Sequence, residues 1–504
     1  MSNFYITTPL YYVNDEPHIG HAYTTILADV IARFHKIKGD DVFFLTGTDE
    51  HGQKVQEAAN KRNVSPEQHV DEYVLRFKKV WEKLNINYDD FIRTTEKRHT
   101  DRVKEVLLFL KEKGDIYLAE YEGLYSVSEE RFITEKEAEE GNFKEIKVLK
   151  EKNYFFKMSK YQKQLIKHIK THEKFILPKT RKNEIISFLN QNLNDLCISR
   201  PKSRLSWGIE LPFDNDYVAY VWFDALLNYI TAIGWGSNKE KFSHYWPANY
   251  HLMGKDIITT HCVYWPTMLL ACNIELPKSI FAHGWWLMEK EKMSKSTGNT
   301  IKPLDLADKY GVDSLRYYLM RNMVLGQDAS YSFKSFKERY NADLANDYGN
   351  LVNRVFILIQ KNYNNKIPQP GDYDKIDLEI ISNTKKLSLK IDQHIDKLKI
   401  HDAIEDSLNI LRSINKYLEL KKPWKTVKEN KEHKSESATT LYVAAETLRI
   451  ASCFLNPIMP CKTNEIITAL DKKPDEKYNY NISFGQLKPN KELININNIF
   501  PRID

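Results

Sequence analysis

Cysteine is scarce in this sequence. Of 504 residues only five are cysteines, at Cys197, Cys262, Cys272, Cys453 and Cys461, and no two have the C-x-x-C spacing of a zinc or redox site. So odd and scattered a set excludes a disulfide scaffold and reads as reduced thiols in the cytoplasm. Met1 to Tyr12 is polar and aromatic and lacks a charged-then-apolar leader. No apolar run reaches the roughly 18–20 residues that a membrane-spanning helix needs. Neither sign of charge dominates: 74 Lys+Arg stand against 68 Asp+Glu, a net charge of +6. That mild basic excess suits an RNA partner, but many metabolic enzymes share it.

What is present is apolar surface. Hydrophobic residues make up 42% and aromatics 12% of the chain, enough for large cores and binding pockets. A chain this long exceeds one compact core, and about two to four domains are expected.

The patterning gives an order to those domains. Phe4 to Thr8 reads as a strand, Ala22 to His35 as a helix with apolar residues at helical spacing, and Val42 to Leu45 as the next strand. This strand–helix–strand opening is the start of a parallel α/β sheet. Ser65-Pro66-Glu67-Gln68 has the composition of a capped helix start, and Gly114 stands where a later helix should end. From Ile116 to about Leu205 short aromatic runs surround a charged stretch, the pattern of an inserted module. Strand-like runs at Val218–Phe223, Tyr250–Met253 and Ile280–Leu287 predict that the sheet then resumes. Helical periodicity dominates from Ser314 onward and is clear over Ile391–Leu411 and Thr440–Phe454.

Two short segments carry chemistry. Pro17-His18-Ile19-Gly20-His21 lies between the first strand and the first helix, where unpaired N–H groups and the helix dipole suit phosphate. Gly20 lets a nucleotide approach the backbone, and two imidazoles three residues apart can hydrogen-bond phosphate oxygens. Lys292-Met293-Ser294-Lys295-Ser296, followed by Thr297-Gly298-Asn299, is a loop whose two ammonium groups could close over a triphosphate. Taken alone, either motif is short enough to arise by chance, and the plainer readings are surface histidines in a turn and a solvated basic loop. Together and in this order they resemble the HIGH and KMSKS signatures of class I aminoacyl-tRNA synthetases.

Further segments resemble the methionine-specific branch of that family. They are Thr7-Thr8-Pro9-Leu10-Tyr11-Tyr12, Gly47-Thr48-Asp49-Glu50-His51-Gly52, Tyr220-Val221-Trp222-Phe223-Asp224-Ala225, and Gly254-Lys255-Asp256-Ile257 with His261 and Trp265. The resemblance runs from about residue 4 to about residue 460. It implies a methionine pocket of Leu10, Tyr12, Asp49, Trp222, Ala225, Leu226, Tyr229, Ile257, His261 and Trp265, with Asp49 receiving the substrate ammonium. An aromatic pocket suits a polarizable thioether. It also implies an ATP site of His18, Gly20, His21, Gly254, Asp256, Lys292 and Lys295. Arg200 matches an arginine implicated in activation. Asn350, Arg354 and Trp424 match the residues that read a CAU anticodon, through stacking and base-edge hydrogen bonds.

The implied architecture has a Rossmann-like catalytic domain in two halves, residues 1–115 and 206–300, around a connective module at 116–205. A linking region at 301–345 and an all-α anticodon-binding domain at 346–504 follow. The insertion is too short for the editing module of the valine, isoleucine and leucine enzymes. Many methionine enzymes carry a zinc knuckle there, but this chain has no cysteine before Cys197, so no zinc or other structural metal is expected. ATP should arrive with its own Mg²⁺. The expected partners are L-methionine, ATP and tRNA(Met), including the initiator, and no membrane; a monomer is expected. Two alternative readings are a nucleotidyltransferase with an H-x-G-H motif and a catalytically silent tRNA-binding paralogue. The first is usually much shorter, and the second predicts a damaged signature.

Overall fold

The computed structural model describes residues 2–126, 131–133, 138–139, 145–288, 291–292, 303–426, 431–471 and 482–504. Its centre is a seven-stranded sheet formed by β1 (Asn3–Thr7), β2 (Tyr11–Tyr12), β3 (Asp41–Asp49), β4 (Asp90–Arg93), β5 (Ile176–Leu177), β6 (Tyr250–Gly254) and β7 (Ile280–His283). Side by side the order is β4, β3, β1, β6, β7, β5, with every pairing parallel and β2 continuing beside β3. Strands buried on both faces need unbroken apolar runs, and Val42-Phe43-Phe44-Leu45 in β3 is one. The strand order reverses between β1 and β6. In an open parallel sheet the crevice at such a switch point, outside the carboxyl ends of the strands, is where ligands bind.

Helix α1 (Ile19–Ile37) connects β1 to β3 and is buried over most of its length, between the sheet and helix Val312–Asn322. Glycine is required at one point of the sheet. Gly47 in β3 lies so close to β4 that a Cβ would overlap the Ile92 carbonyl.

The stretch between Ile116 and Leu205 is not one separate layer. Ile116–Ser126 and Ile146–Phe156 form a long antiparallel hairpin, flanked by Arg131–Ile133 and Leu196–Cys197. After the hairpin and before Leu196–Cys197, however, the chain returns to the parallel sheet, where Ile176–Leu177 is the edge strand β5. Two apolar residues are too short a run to register as a strand without the neighbour that pairs with them. The strand expected over Val218–Phe223 is also different. The strand is Asp214–Ala219 and it pairs antiparallel with Ser199–Pro201 and Glu210–Leu211, after which Tyr220 caps a short helix, Val221–Leu226. Ile280–Leu287 is likewise two strands of two sheets, β7 and Trp286–Met288, with Gly284 packed against the Gln327–Asp328 backbone between them.

The second half is helical. Asn350–Asn362, Lys375–Ile395, Ile400–Lys421, Lys431–Leu455 and Pro460–Leu470 pack around one core. The run expected over Ile391–Leu411 is a helical hairpin, broken where Leu398 adopts φ +55°. The final residues strap this bundle to the linking region: Phe500 packs on Tyr340 and Tyr348, and the Tyr340 hydroxyl donates to the Pro501 carbonyl.

Candidate active site

Of the residues singled out in the sequence, Leu10, Tyr12, His18, Gly20, His21, Asp49, Gly254, Asp256 and Ile257 lie at or just beyond the carboxyl ends of β1, β3 and β6. Among the residues expected to hold the nucleotide, His18 caps α1. Its Nδ1 accepts from the Gly20 N–H at 3.1 Å, and His21 Nδ1 accepts from the His18 N–H at 3.3 Å, a reciprocal capping box built from two imidazoles. The rings stack at 3.7 Å. With each Nδ1 an acceptor, a neutral ring carries its proton on Nε2, the form that donates to a phosphate oxygen. Gly20 has a local role as well, since a Cβ would lie 2.9 Å from His18 Cε1.

Gly254 ends β6, and the side chain of Asp256 folds back over it, so that a Cβ there would lie 2.5 Å from Asp256 Oδ1. Asp256 Oδ1 accepts from Trp285 Nε1 at 3.0 Å. His283, at the end of β7, completes this edge: its Nδ1 donates to the Gly284 carbonyl at 2.7 Å, so Nε2 accepts from Thr24 of α1 at 2.7 Å. Sequence reasoning missed His283 and Thr24, because neither belongs to a recognisable motif.

The residues expected to form the methionine pocket come from the ends of β2 and β3, from Val221–Leu226 and Asn228–Thr231, and from the segment after β6. Tyr12 is paired in register with Asp49. Leu10, Tyr12, Trp222 and Ile257 are half-buried and pack against the core that holds Leu226, Tyr229 and Trp265. Ala225 is buried in the same short helix as Trp222. His261 sits in a π-helical turn, Thr260–Tyr264, the kind of irregularity that recurs at functional sites. Its Nδ1 donates to the Ile257 carbonyl at 3.0 Å and its Nε2 accepts from the Tyr229 hydroxyl at 2.8 Å, with Trp222 edge-on at 6.2 Å. Burial pushes the His261 imidazole down to about 4, against the opposing pull of the Ile257 carbonyl and Asp256. Trp265 is fully buried behind Tyr229 and donates to His251 Nε2 at 3.3 Å, so it backs the pocket wall.

Arg200 is buried below this helix, its guanidinium over the Tyr220 ring at 4.5 Å and donating to the Ser199 carbonyl at 2.7 Å. Lys292 lies in a two-residue strand paired with Trp286–Met288, but its side chain, and Lys295 with the rest of the KMSKS loop, lie outside the described residues. Among the described residues no three His, Cys, Asp or Glu side chains come together as a metal site, and no helix is long and apolar enough to cross a membrane.

In the helical half, Asn350 and Arg354 occupy successive turns of helix Asn350–Asn362, directly after the π-helical Tyr340–Gly349. The Arg354 guanidinium stacks over the Trp424 ring at 4.6 Å and pairs with Glu419 at 2.7 Å. Asn350 is exposed at the start of the same helix.

The family model described as "tRNA synthetases class I (M)" matches residues 4–145 and 141–356. The chain belongs to this family. A second family model, the anticodon-binding domain of tRNA ligases, matches residues 377–499. Methionine–tRNA ligase of Caldanaerobacter subterraneus is 42% identical over 99% of this chain and 79% of its own length. That of Fusobacterium nucleatum is 44% identical over 100% of this chain and 80% of its own. Among solved structures, Mycobacterium tuberculosis methionyl-tRNA synthetase in complex with methionyl-adenylate is 40% identical with a TM-score of 0.95, covering 100% of both chains. The free form of that enzyme superposes with a TM-score of 0.88 at 38% identity, covering 100% of this chain and 99% of the other.

Proposed function

We propose that this chain is a methionine–tRNA ligase that activates L-methionine with MgATP and charges tRNA(Met). The observation that carries this is the meeting of a phosphate-ready helix end and an aromatic, sulfur-tolerant pocket at the carboxyl ends of one parallel sheet. The methionine carboxylate attacks the α-phosphorus of ATP. A P–O bond forms to the carboxylate, the bond to the bridging oxygen breaks, and pyrophosphate leaves. No protein nucleophile takes part, and catalysis is positioning plus charge stabilisation. His18 and His21 donate to the phosphates at the positive end of α1. Gly254 and Asp256 hold the adenosine, Lys292 and Lys295 close over the departing pyrophosphate, and Arg200 supports the activation site. Asp49 takes the methionine ammonium. In the second step the terminal ribose hydroxyl of tRNA attacks the acyl carbon and AMP leaves.

Asn350, Arg354 and Trp424 read the CAU anticodon. The stacked Arg354–Trp424 pair supports this, since a base can extend such a stack. The chain works as a monomer, without structural zinc. ATP–pyrophosphate exchange across the twenty amino acids tests the assignment. Methionine alone should support fast exchange, and equal exchange with leucine would refute the pocket. Homocysteine, one methylene shorter, should be weakly active, because such a difference is worth only about 1–3 kcal/mol.

A further inference from the structure

The two walls of the proposed methionine pocket come from segments far apart in the chain. One is the end of β3, which carries Asp49. The other is helix Val221–Leu226, which carries Trp222, Ala225 and Leu226. A single buried carboxylate joins them. Asp224 Oδ2 accepts from His51 Nδ1 at 2.6 Å, and its Oδ1 accepts from His99 Nε2 at 2.7 Å. His99 Nδ1 in turn meets the Thr231 hydroxyl at 2.9 Å. All three side chains are buried.

The segment on the His51 side has no slack. Arg93 grips the Glu50 carboxylate at 2.8 and 3.0 Å, and the Thr48 and Thr95 hydroxyls donate to it as well. Trp207 Nε1 donates to the Glu50 carbonyl at 2.6 Å. Gly52 adopts φ +106°, and a Cβ there would overlap the Tyr12 hydroxyl and lie 3.5 Å from Val221 Cβ. Asp49, Tyr12 and the 221–226 helix are therefore wedged against one another, with the His51–Asp224 bond as the direct tie. Burial works against the Asp224 charge, but the two imidazoles outweigh it and hold the carboxyl below its usual range. Losing either donor would leave part of a buried carboxylate uncompensated, and the two walls would shift to relieve it.

We infer that Asp224 and His51 are positioning residues that set the spacing between the ammonium receptor and the side-chain wall, and with it the affinity for methionine. This rests on the reading of that pocket as the methionine site. Neither residue is asked to touch substrate. Of the groups proposed to hold ATP, His18, Gly20 and His21 lie at the start of α1 and Gly254 and Asp256 at the end of β6, and none of these five belongs to this network.

The test is steady-state exchange kinetics of His51→Asn, His51→Gln and Asp224→Asn, with thermal melts and a direct methionine titration. The amide nitrogen of an asparagine stands where His Nδ1 donates, and that of a glutamine does not. His51→Asn should stay near wild type. His51→Gln should raise the KM for methionine roughly ten- to hundredfold, the effect of a lost hydrogen bond to a buried charge, with the KM for ATP little changed. Asp224→Asn should behave like His51→Gln, since an amide cannot accept at both positions. Equal performance of the two His51 variants would overturn the inference, as would parallel changes in both KM values. If Asp224→Asn does not fold, the His51 pair still decides. Failure of the functional reading is distinguishable, because the wild-type protein itself would then show no methionine-dependent exchange and no methionine binding.

Discussion

His261 has both ring nitrogens committed, one as donor to the Ile257 carbonyl and one as acceptor from Tyr229. Protonation would break the second bond and place a charge beside an apolar ligand. Desolvation lowers the imidazole from 6.5 to about 4. The folded state thus binds fewer protons than the unfolded chain between those values. This group's contribution to stability is fully present above about pH 6.5 and is lost as the pH falls toward 4. Urea melts between pH 7 and 4 should show that loss, and His261→Asn should lessen it. The KM for methionine should carry no inflection from His261 near neutrality; an inflection near 6.5 that disappears in His261→Asn would refute the assigned tautomer.

At the scale of elements, the site depends on strands and helices meeting at fixed separations. Gly47 shows how tight they are. Its β3 backbone packs so closely against β4 that Gly47→Ala must push the strands apart. Two residues later the same strand presents Asp49. The substitution should lower stability by at least the ~1–3 kcal/mol typical of an overpacked core, measured by chemical denaturation. It should also weaken methionine binding in the fraction that folds. A variant with unchanged stability would show that β3 and β4 have room to separate. The glycine is legible in the sequence as part of Gly47-Thr48-Asp49-Glu50-His51-Gly52, but its reason is not. The crowding atom belongs to Ile92, and only strand pairing brings it there.

At the scale of the molecule, one buried guanidinium ties the two halves together. Arg316 is fully buried, pairs with Asp29 of α1 at 2.6 Å, and donates to the carbonyls of Leu84, Pro457 and Ile458. Asp29 also accepts from Arg33 at 2.8 Å. The helix that opens at His18 is thereby held to the helical half. Arg316→Met leaves Asp29 a single arginine and several carbonyls without donors, and should cost about 3–5 kcal/mol in unfolding free energy; a loss below 1 kcal/mol would mean that water replaces the guanidinium. A second prediction separates the halves functionally. Trp424→Ala should leave methionine–ATP exchange near wild type while lowering charging efficiency roughly ten- to hundredfold, the worth of one base–aromatic stack. Equal losses in exchange and charging would make Trp424 a core anchor, a role that its partial burial beside Arg354 also permits.

The sequence by itself determined the family, the parallel-sheet opening, the capped helix at Ser65 and the helical second half, and it supplied the residues proposed for the pocket. These are local signals. Periodicity, caps and short motifs are properties of contiguous residues, and Pro17 to His21 carries its chemistry wherever the chain folds. Tertiary structure decided what needs a partner from elsewhere in the chain. Ile176–Leu177 is a strand only because β7 lies beside it. Val218–Phe223 reads as a strand by composition, but a helix starts at Val221, because Tyr220 is the last residue that the small antiparallel sheet holds in an extended conformation. The same physics hid His99, Thr24 and His283. A lone histidine or threonine has no pattern of its own, and its role comes from a carboxylate, a carbonyl or a hydroxyl that folding brings within hydrogen-bonding distance.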